Sequence, residues 1–166
     1  AVAKQIIGLT NAGIQLGVVI GGGNIWRGRS SGDMDRPQAD NMGMLATVIN
    51  SLALQDSLER LGAGAVVVCS VEMPKIAESF NKHKVEKYFA EGKTVICAGG
   101  TGNPFFSTDT AAVLRALEID ADIILMAKAI DAVYDKDPHK YDDAVRIPRM
   151  KYKDIYEKNL QVVDMT

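Results

Sequence analysis

Residues 94–117 read TVICAGGTGNPFFSTDTAAVLRAL: a short apolar run, a glycine-rich loop and an amphipathic stretch in direct succession. Thr94, Val95, Ile96 and Cys97 read as a buried strand, and Ala111, Ala112, Val113, Leu114, Ala116 and Leu117 as a helix. Gly99, Gly100 and Gly102 permit positive φ and close backbone approach, and Ser107, Thr108 and Asp109 stand where N-cap oxygens belong. A helix start offers N–H groups and a positive dipole end, so an anion is the natural guest of such a loop.

The same alternation extends in both directions. Residues 14–20, 65–69, 94–97 and 123–126 are short, β-branched and non-alternating, as strands covered on both faces are. Helical patterns separate them: the stretch before Ile14, then residues 39–61, 83–91 and 108–119. Alternation of this kind predicts right-handed crossovers and a three-layer αβα sandwich around a mostly parallel sheet. Ligands of such sheets gather at the carboxyl ends of the strands, where the glycine loops fall. From Lys136 to Arg149 charge density rises, and a hairpin or excursion is expected.

The chain of 166 residues suits one domain, residues 1–166. A formal charge of -2 and the lack of a basic stripe disfavour a nucleic-acid partner. No apolar run approaches the ~20 residues of a membrane helix, so no membrane partner and a cytoplasmic location are expected. Cys69 and Cys97 each lie in an apolar strand and read as reduced core residues without a metal-ligand pattern. His83 and His139 stand in charged surroundings and read as surface residues. Both ends look cut: residues 1–13 begin inside a helical pattern, and residues 161–166 stop without a closing element, so flanking residues are expected.

A second glycine-rich segment follows the run Val18, Val19, Ile20. Gly21, Gly22, Gly23 and Asn24 can form a backbone anion nest. Two common nucleotide motifs fail here. Trp26 takes the place of the third glycine of GxGxxG, and Arg29 replaces the lysine of GxxxxGK[ST]. Arg27, Arg29 and Arg36 cluster beside the nest and read as phosphate clamps, with a solvated surface as the alternative. Asp40 reads as a cap or first-turn acid of the long helix. Met42, Leu45, Ile49 and Leu52 make one apolar stripe on that helix, and Met44, Val48, Leu54, Leu58 and Leu61 another. A helix apolar on two faces is buried on two faces, one on the sheet and the other in the chain or on a partner subunit.

The loop TGNPFFSTD closely resembles the nucleoside-monophosphate loop of bacterial-type UMP kinases, in the amino acid kinase superfamily. GVVIGGGNIWRG at 17–28 is similar to that family's other phosphate loop, ADNMGMLATVINSLALQDSL at 39–58 to its central helix, and IDAVYDKDP at 130–138 to its ATP-side strand and turn. The resemblance implies a single amino acid kinase-like domain that transfers a phosphoryl group from ATP to UMP with Mg²⁺, in a homohexamer built from dimers through the central helix. It implies catalytic roles for Arg27 and Asp109, the latter orienting catalytic groups or Mg²⁺, and no resident metal ligands. For UMP it implies Gly22, Asp40, Thr101, Gly102, Asn103, Pro104, Phe105, Phe106, Ser107 and Thr108, with Asp40 on the ribose hydroxyls. For ATP it implies Gly23, Arg27, Lys128, Tyr134 and Asp137. The family writes VDGVY where this chain has Ala132, and a polar residue where it has Ala129. The family's KLSGE lysine has no counterpart in these residues, since Lys4 sits in a helical pattern. Other superfamily kinases with carbamate or carboxylate acceptors, and a non-catalytic storage protein of the same fold, are the alternatives.

Overall fold

The computed structural model describes residues 1–28, 32–127 and 132–157. Contacts divide the chain into one compact unit, residues 1–123, and a second that begins at residue 124. The first contains α1 (Val2–Asn11), β1 (Gly17–Val19), α2 (Arg36–Glu59), β2 (Ala65–Cys69), β3 (Glu78–Ser79), α3 (Lys82–Ala90), β4 (Thr94–Ala98) and α4 (Thr108–Glu118). The strands form one parallel sheet in the order β1-β4-β2-β3.

That order explains the layers. The crossover through α2 travels from β1 past β4 to β2, while the crossover through α3 returns from β3 to β4. Two right-handed crossovers running in opposite directions place their helices on opposite faces. On one face Ile6 of α1 and Val48 and Leu58 of α2 bury against Val67, Cys69, Ile96 and Ala98. On the other, Val85, Tyr88 and Phe89 of α3 and Ile119 at the end of α4 pack on Val68, Val95 and Cys97. The expected αβα sandwich is thus present, and adjacent strand residues alternate between its two cores.

Helix starts follow their capping residues. Asp35 caps α2, its carboxylate accepting from the Gln38 amide, and Pro37 stands in the first turn, where no intrahelical N–H is required. Asn81 caps α3 by accepting from Lys84 N, and Ser107 caps α4 by accepting from Thr110 N at 3.2 Å. Cys69 and Cys97 are both reduced and buried; burial pushes the Cys97 thiol up to about 12.

The structure corrects several expectations. Helix α2 begins at Arg36, so Asp40 lies inside it rather than ahead of it. The strand expected over 14–20 shrinks to Gly17–Val19, and Ile14 is exposed. Residues 123–126 form no strand, with Ile123 70% and Leu125 69% exposed. An apolar run becomes a strand only where a neighbour takes its backbone hydrogen bonds, and among the described residues none pairs with it. Of the two stripes on α2, Val48 and Leu58 are buried and Leu52 packs on the same core, whereas Met42, Leu45 and Ile49 are exposed; Leu61 lies beyond the helix and is also exposed.

In the second unit β5 (Val133–Tyr134) pairs antiparallel with β6 (Arg146–Ile147), followed by α5 (Tyr152–Glu157). The charged excursion expected from Lys136 is the connection between these strands. Lys136 Nζ reaches Asp143 Oδ2 at 2.6 Å, and the Asp135 carboxylate accepts from Val145 N at 2.7 Å.

Candidate functional site

Parallel strands end together, so the segments after β1, β2 and β4 share one edge of the sheet. The segment after β1 turns at Gly22, whose carbonyl accepts from Ile25 N and Trp26 N, both at 2.9 Å. Gly22 is pressed on α2: a Cβ there would lie 2.7 Å from the Gly43 carbonyl and 2.8 Å from the Ala46 Cβ. Asn50 of α2 holds the nest from outside, its amide donating to the Gly21 carbonyl at 2.8 Å and to Asn24 Oδ1 at 2.7 Å. Trp26 donates Nε1–H to the Ala39 carbonyl at 2.9 Å. Arg27 folds back over the nest, Nε–H to the Gly23 carbonyl at 3.0 Å.

The loop after β4 is shaped by its backbone. Gly99, Gly100 and Gly102 have φ of +78°, +58° and +81°. The buried Gly99 amide donates to Thr47 Oγ1 at 2.8 Å, and that hydroxyl donates to the Met44 carbonyl at 2.6 Å. Ser70, at the end of β2, donates to the Gly100 carbonyl at 2.9 Å. Thr101 and Asn103 close on each other, the Thr101 hydroxyl accepting from Asn103 N and donating to its carbonyl, both at 3.2 Å. Pro104 is half-buried beside them. Phe105 and Phe106 are 55% and 52% exposed, which removes simple core packing as their role.

The two loops meet. Thr108 lies against Gly21, its hydroxyl 3.5 Å from where a Cβ at Gly21 would sit, and Asp109 follows it in the first turn of α4. Asp40 joins them directly: Oδ2 accepts from Phe105 N at 2.8 Å and from Arg36 Nε at 2.8 Å, and Oδ1 lies in the space that a Cβ at Gly28 would take. The structure therefore brings together Gly22, Gly23, Arg27, Asp40, Asp109 and the segment Thr101 to Thr108. Arg36, expected as a phosphate clamp, turns to Asp40 and lies 5.7 Å from the Phe105 ring centroid. Arg29, Lys128 and Ala129 lie outside the described residues, as does the segment 161–166.

Tyr134 and Asp137 belong to the second unit. Tyr134 is half-buried in β5 opposite Arg146. Asp137 builds its own turn, Oδ1 accepting from His139 N at 3.0 Å. Among the described residues no group of three or more His, Cys, Asp or Glu is placed to hold a metal ion, and no helix is long and apolar enough to cross a membrane. His83 is exposed and pairs with Glu86, and His139 is exposed.

Sequence reasoning missed Asn50, Thr47, Ser70 and the indole of Trp26 as supports. Their partners lie across loops and helix faces, beyond the reach of local pattern.

Residues 1–165 match the amino acid kinase family. A crystal structure of a UMP kinase from Ureaplasma parvum superposes with a TM-score of 0.93 at 37% identity, covering 98% of this chain and 70% of that one. A UMP kinase from Bacillus anthracis gives a TM-score of 0.93 at 36% identity, covering 98% of this chain and 68% of that one. Sheet order, paired glycine loops and a match over nearly every residue converge: the chain belongs to the amino acid kinase family.

Proposed function

We propose that the chain is the larger part of a UMP kinase, which transfers the γ-phosphoryl group of ATP to UMP and releases UDP and ADP, a step of pyrimidine nucleotide synthesis in the cytoplasm. The observation that carries this reading is the meeting of two glycine loops over one carboxylate, with Phe105 N and Arg36 both donating to Asp40 Oδ2 at 2.8 Å. An acceptor-only group at that junction suits a vicinal diol, and the amide-rich turns on either side suit phosphates. Similarity to two UMP kinases over 98% of the chain supports the same acceptor.

The family likeness and these positions together support the following roles. Asp40 takes the ribose hydroxyls, and the segment from Thr101 to Thr108, with the exposed rings of Phe105 and Phe106, takes the base. Gly22 and Gly23 offer backbone to phosphate, and Arg27 supplies a planar guanidinium to the charge that spreads over the transferred group. A phosphate monoester is mostly dianionic near neutral pH, its second pKa being about 6, so the attacking oxygen of UMP needs no general base. It forms a bond to the γ-phosphorus as the bond to the β–γ bridging oxygen breaks, and ADP leaves with that electron pair. Catalysis is then positioning and charge stabilisation.

Mg²⁺ fits this site as a companion of the nucleotide. It keeps several waters and uses one or two carboxylates with substrate phosphates, and Asp109, in the first turn of α4 after Thr108, is proposed as such a carboxylate. When bound it would neutralise phosphate charge. Lys128, Tyr134 and Asp137 are proposed for ATP. The exposed face of Met42, Leu45 and Ile49 is proposed as the subunit contact of a homohexamer built from dimers.

A coupled ADP-release assay across UMP, CMP, dUMP and AMP on the full-length protein tests the proposal. UMP should lead in kcat/KM, because a site built to hydrogen-bond a group rejects analogues lacking it by as much as roughly 10⁴-fold. Equal rates with CMP and UMP would remove the uracil-reading role from the TGNPFFSTD loop.

A further inference from the structure

We propose that Arg36 is a positioning residue for the acceptor, one guanidinium that holds both the Asp40 carboxylate and the Phe105 ring and so fixes the second glycine loop in its binding conformation. This rests on the reading of Asp40 as the ribose ligand.

Phe105 has φ +72°. A bulky residue with a Cβ enters that region only where its surroundings over-determine it. The core does not do so, since the Phe105 side chain is largely exposed. What holds it is local: its amide donates to Asp40 Oδ2 at 2.8 Å, and its ring lies 5.7 Å from the Arg36 guanidinium carbon, within cation–π range. Arg36 also donates Nε–H to that same oxygen at 2.8 Å. Arg36 and Asp40 are i and i+4 on α2, whose start is fixed by the Asp35 cap and Pro37, so this pair is presented by a rigid element.

Three chain segments therefore converge on one carboxylate: the end of the first glycine loop at Gly28, the first turns of α2, and the second glycine loop at Phe105. An arginine suits the task because its planar fork can donate from Nε while its face lies along a ring. A lysine has no second surface. The position of the Phe105 backbone, and of the neighbouring residues that would read the base, thus depends on a side chain that need not touch the acceptor.

Titration calorimetry with UMP and with ATP, together with KM for each, on full-length wild type, Arg36→Ala, Arg36→Lys, Asp40→Asn and Phe105→Leu, tests the idea. Arg36→Ala should weaken UMP binding by up to about 10²-fold, the scale of a misplaced binding group, and leave ATP affinity unchanged. Arg36→Lys should recover part of that loss. The Arg36→Ala, Phe105→Leu double variant should lose less than the sum of the singles, since the residues act as a unit. If Arg36→Ala does not fold, Arg36→Lys carries the test, and full UMP affinity there overturns the proposal. Equal losses for UMP and ATP would also overturn it, by showing a merely structural role. Unchanged UMP affinity in Arg36→Ala alongside a clear loss in Asp40→Asn overturns the role of Arg36 and leaves the ribose ligand standing. Unchanged affinity in Asp40→Asn removes the reading beneath it.

Discussion

The two glycine loops reach the same edge of the sheet by different physics. In the first, none of Gly21, Gly22, Gly23 or Gly28 has positive φ; glycine is needed at Gly22 because the backbone of α2 occupies the space of a Cβ, and at Gly28 the Asp40 carboxylate lies in that space. In the second, Gly99, Gly100 and Gly102 all have positive φ, and even Phe105 shares that conformation. One loop is set by close approach to α2 alone, the other by positive φ together with close approach to the Ser70 backbone, held by Thr47, Ser70 and Asp40. A loop pressed on a helix is rigid by packing, whereas one built from left-handed residues keeps its shape only while its tethers hold.

The largest effect should come from forcing a Cβ into the packed loop. Gly22→Ala meets backbone of α2 rather than a flexible side chain, and should destabilise the fold by about 3 kcal/mol, the upper range for overpacking. Urea unfolding measures it, and a change near zero would dissolve the contrast between the loops. Next comes the main tether of the second loop. Thr47→Val leaves the buried Gly99 amide without its acceptor and should cost about 2 kcal/mol in the same experiment. A smaller cost, about 1–2 kcal/mol, is expected for Gly102→Ala, where φ is +81° and the Ser70 carbonyl would be 3.0 Å away. Gly13→Ala provides the pure conformational reference, with φ +82° and nothing within 4 Å, and should cost no more.

The smallest effect lies outside both loops. Tyr88 donates its phenol proton to Glu78 at 2.6 Å, and that bond, with burial and the Glu78 charge behind it, lifts its pKa from 10.0 to about 12. A raised folded-state value means that the stabilisation is complete below about pH 10 and is lost as pH rises toward 12. Chemical denaturation across that window should show a loss that Tyr88→Phe reduces, with no effect of the substitution on UMP binding at neutral pH.

Much of this architecture was legible because burial on both faces leaves a direct mark on sequence. β2 appears where the run 65–69 placed it, and α3 and α4 lie within one residue of their expected bounds. Residues 123–126 carry the same mark without becoming a strand, because apolarity reports a preference for cover and says nothing of who supplies the hydrogen bonds. β3, Glu78–Ser79, is too short and polar to leave any pattern. In the site, the glycines and Ser107 were visible through their conformational and capping roles. Asn50, Thr47 and Ser70 were not, since an amide or hydroxyl that ties a loop 26 to 52 residues away looks like any other polar side chain. Arg36 was visible as a charge but not as the partner of Asp40 and Phe105.

The central claim is that both loops belong to one acceptor site. Amide hydrogen exchange of the full-length protein, with and without saturating UMP, tests it without any substitution. The account predicts that UMP slows exchange in residues 21–28 and in 99–108 together, with the Phe105 amide among the protected. Protection confined to one loop, or falling on neither, would contradict it.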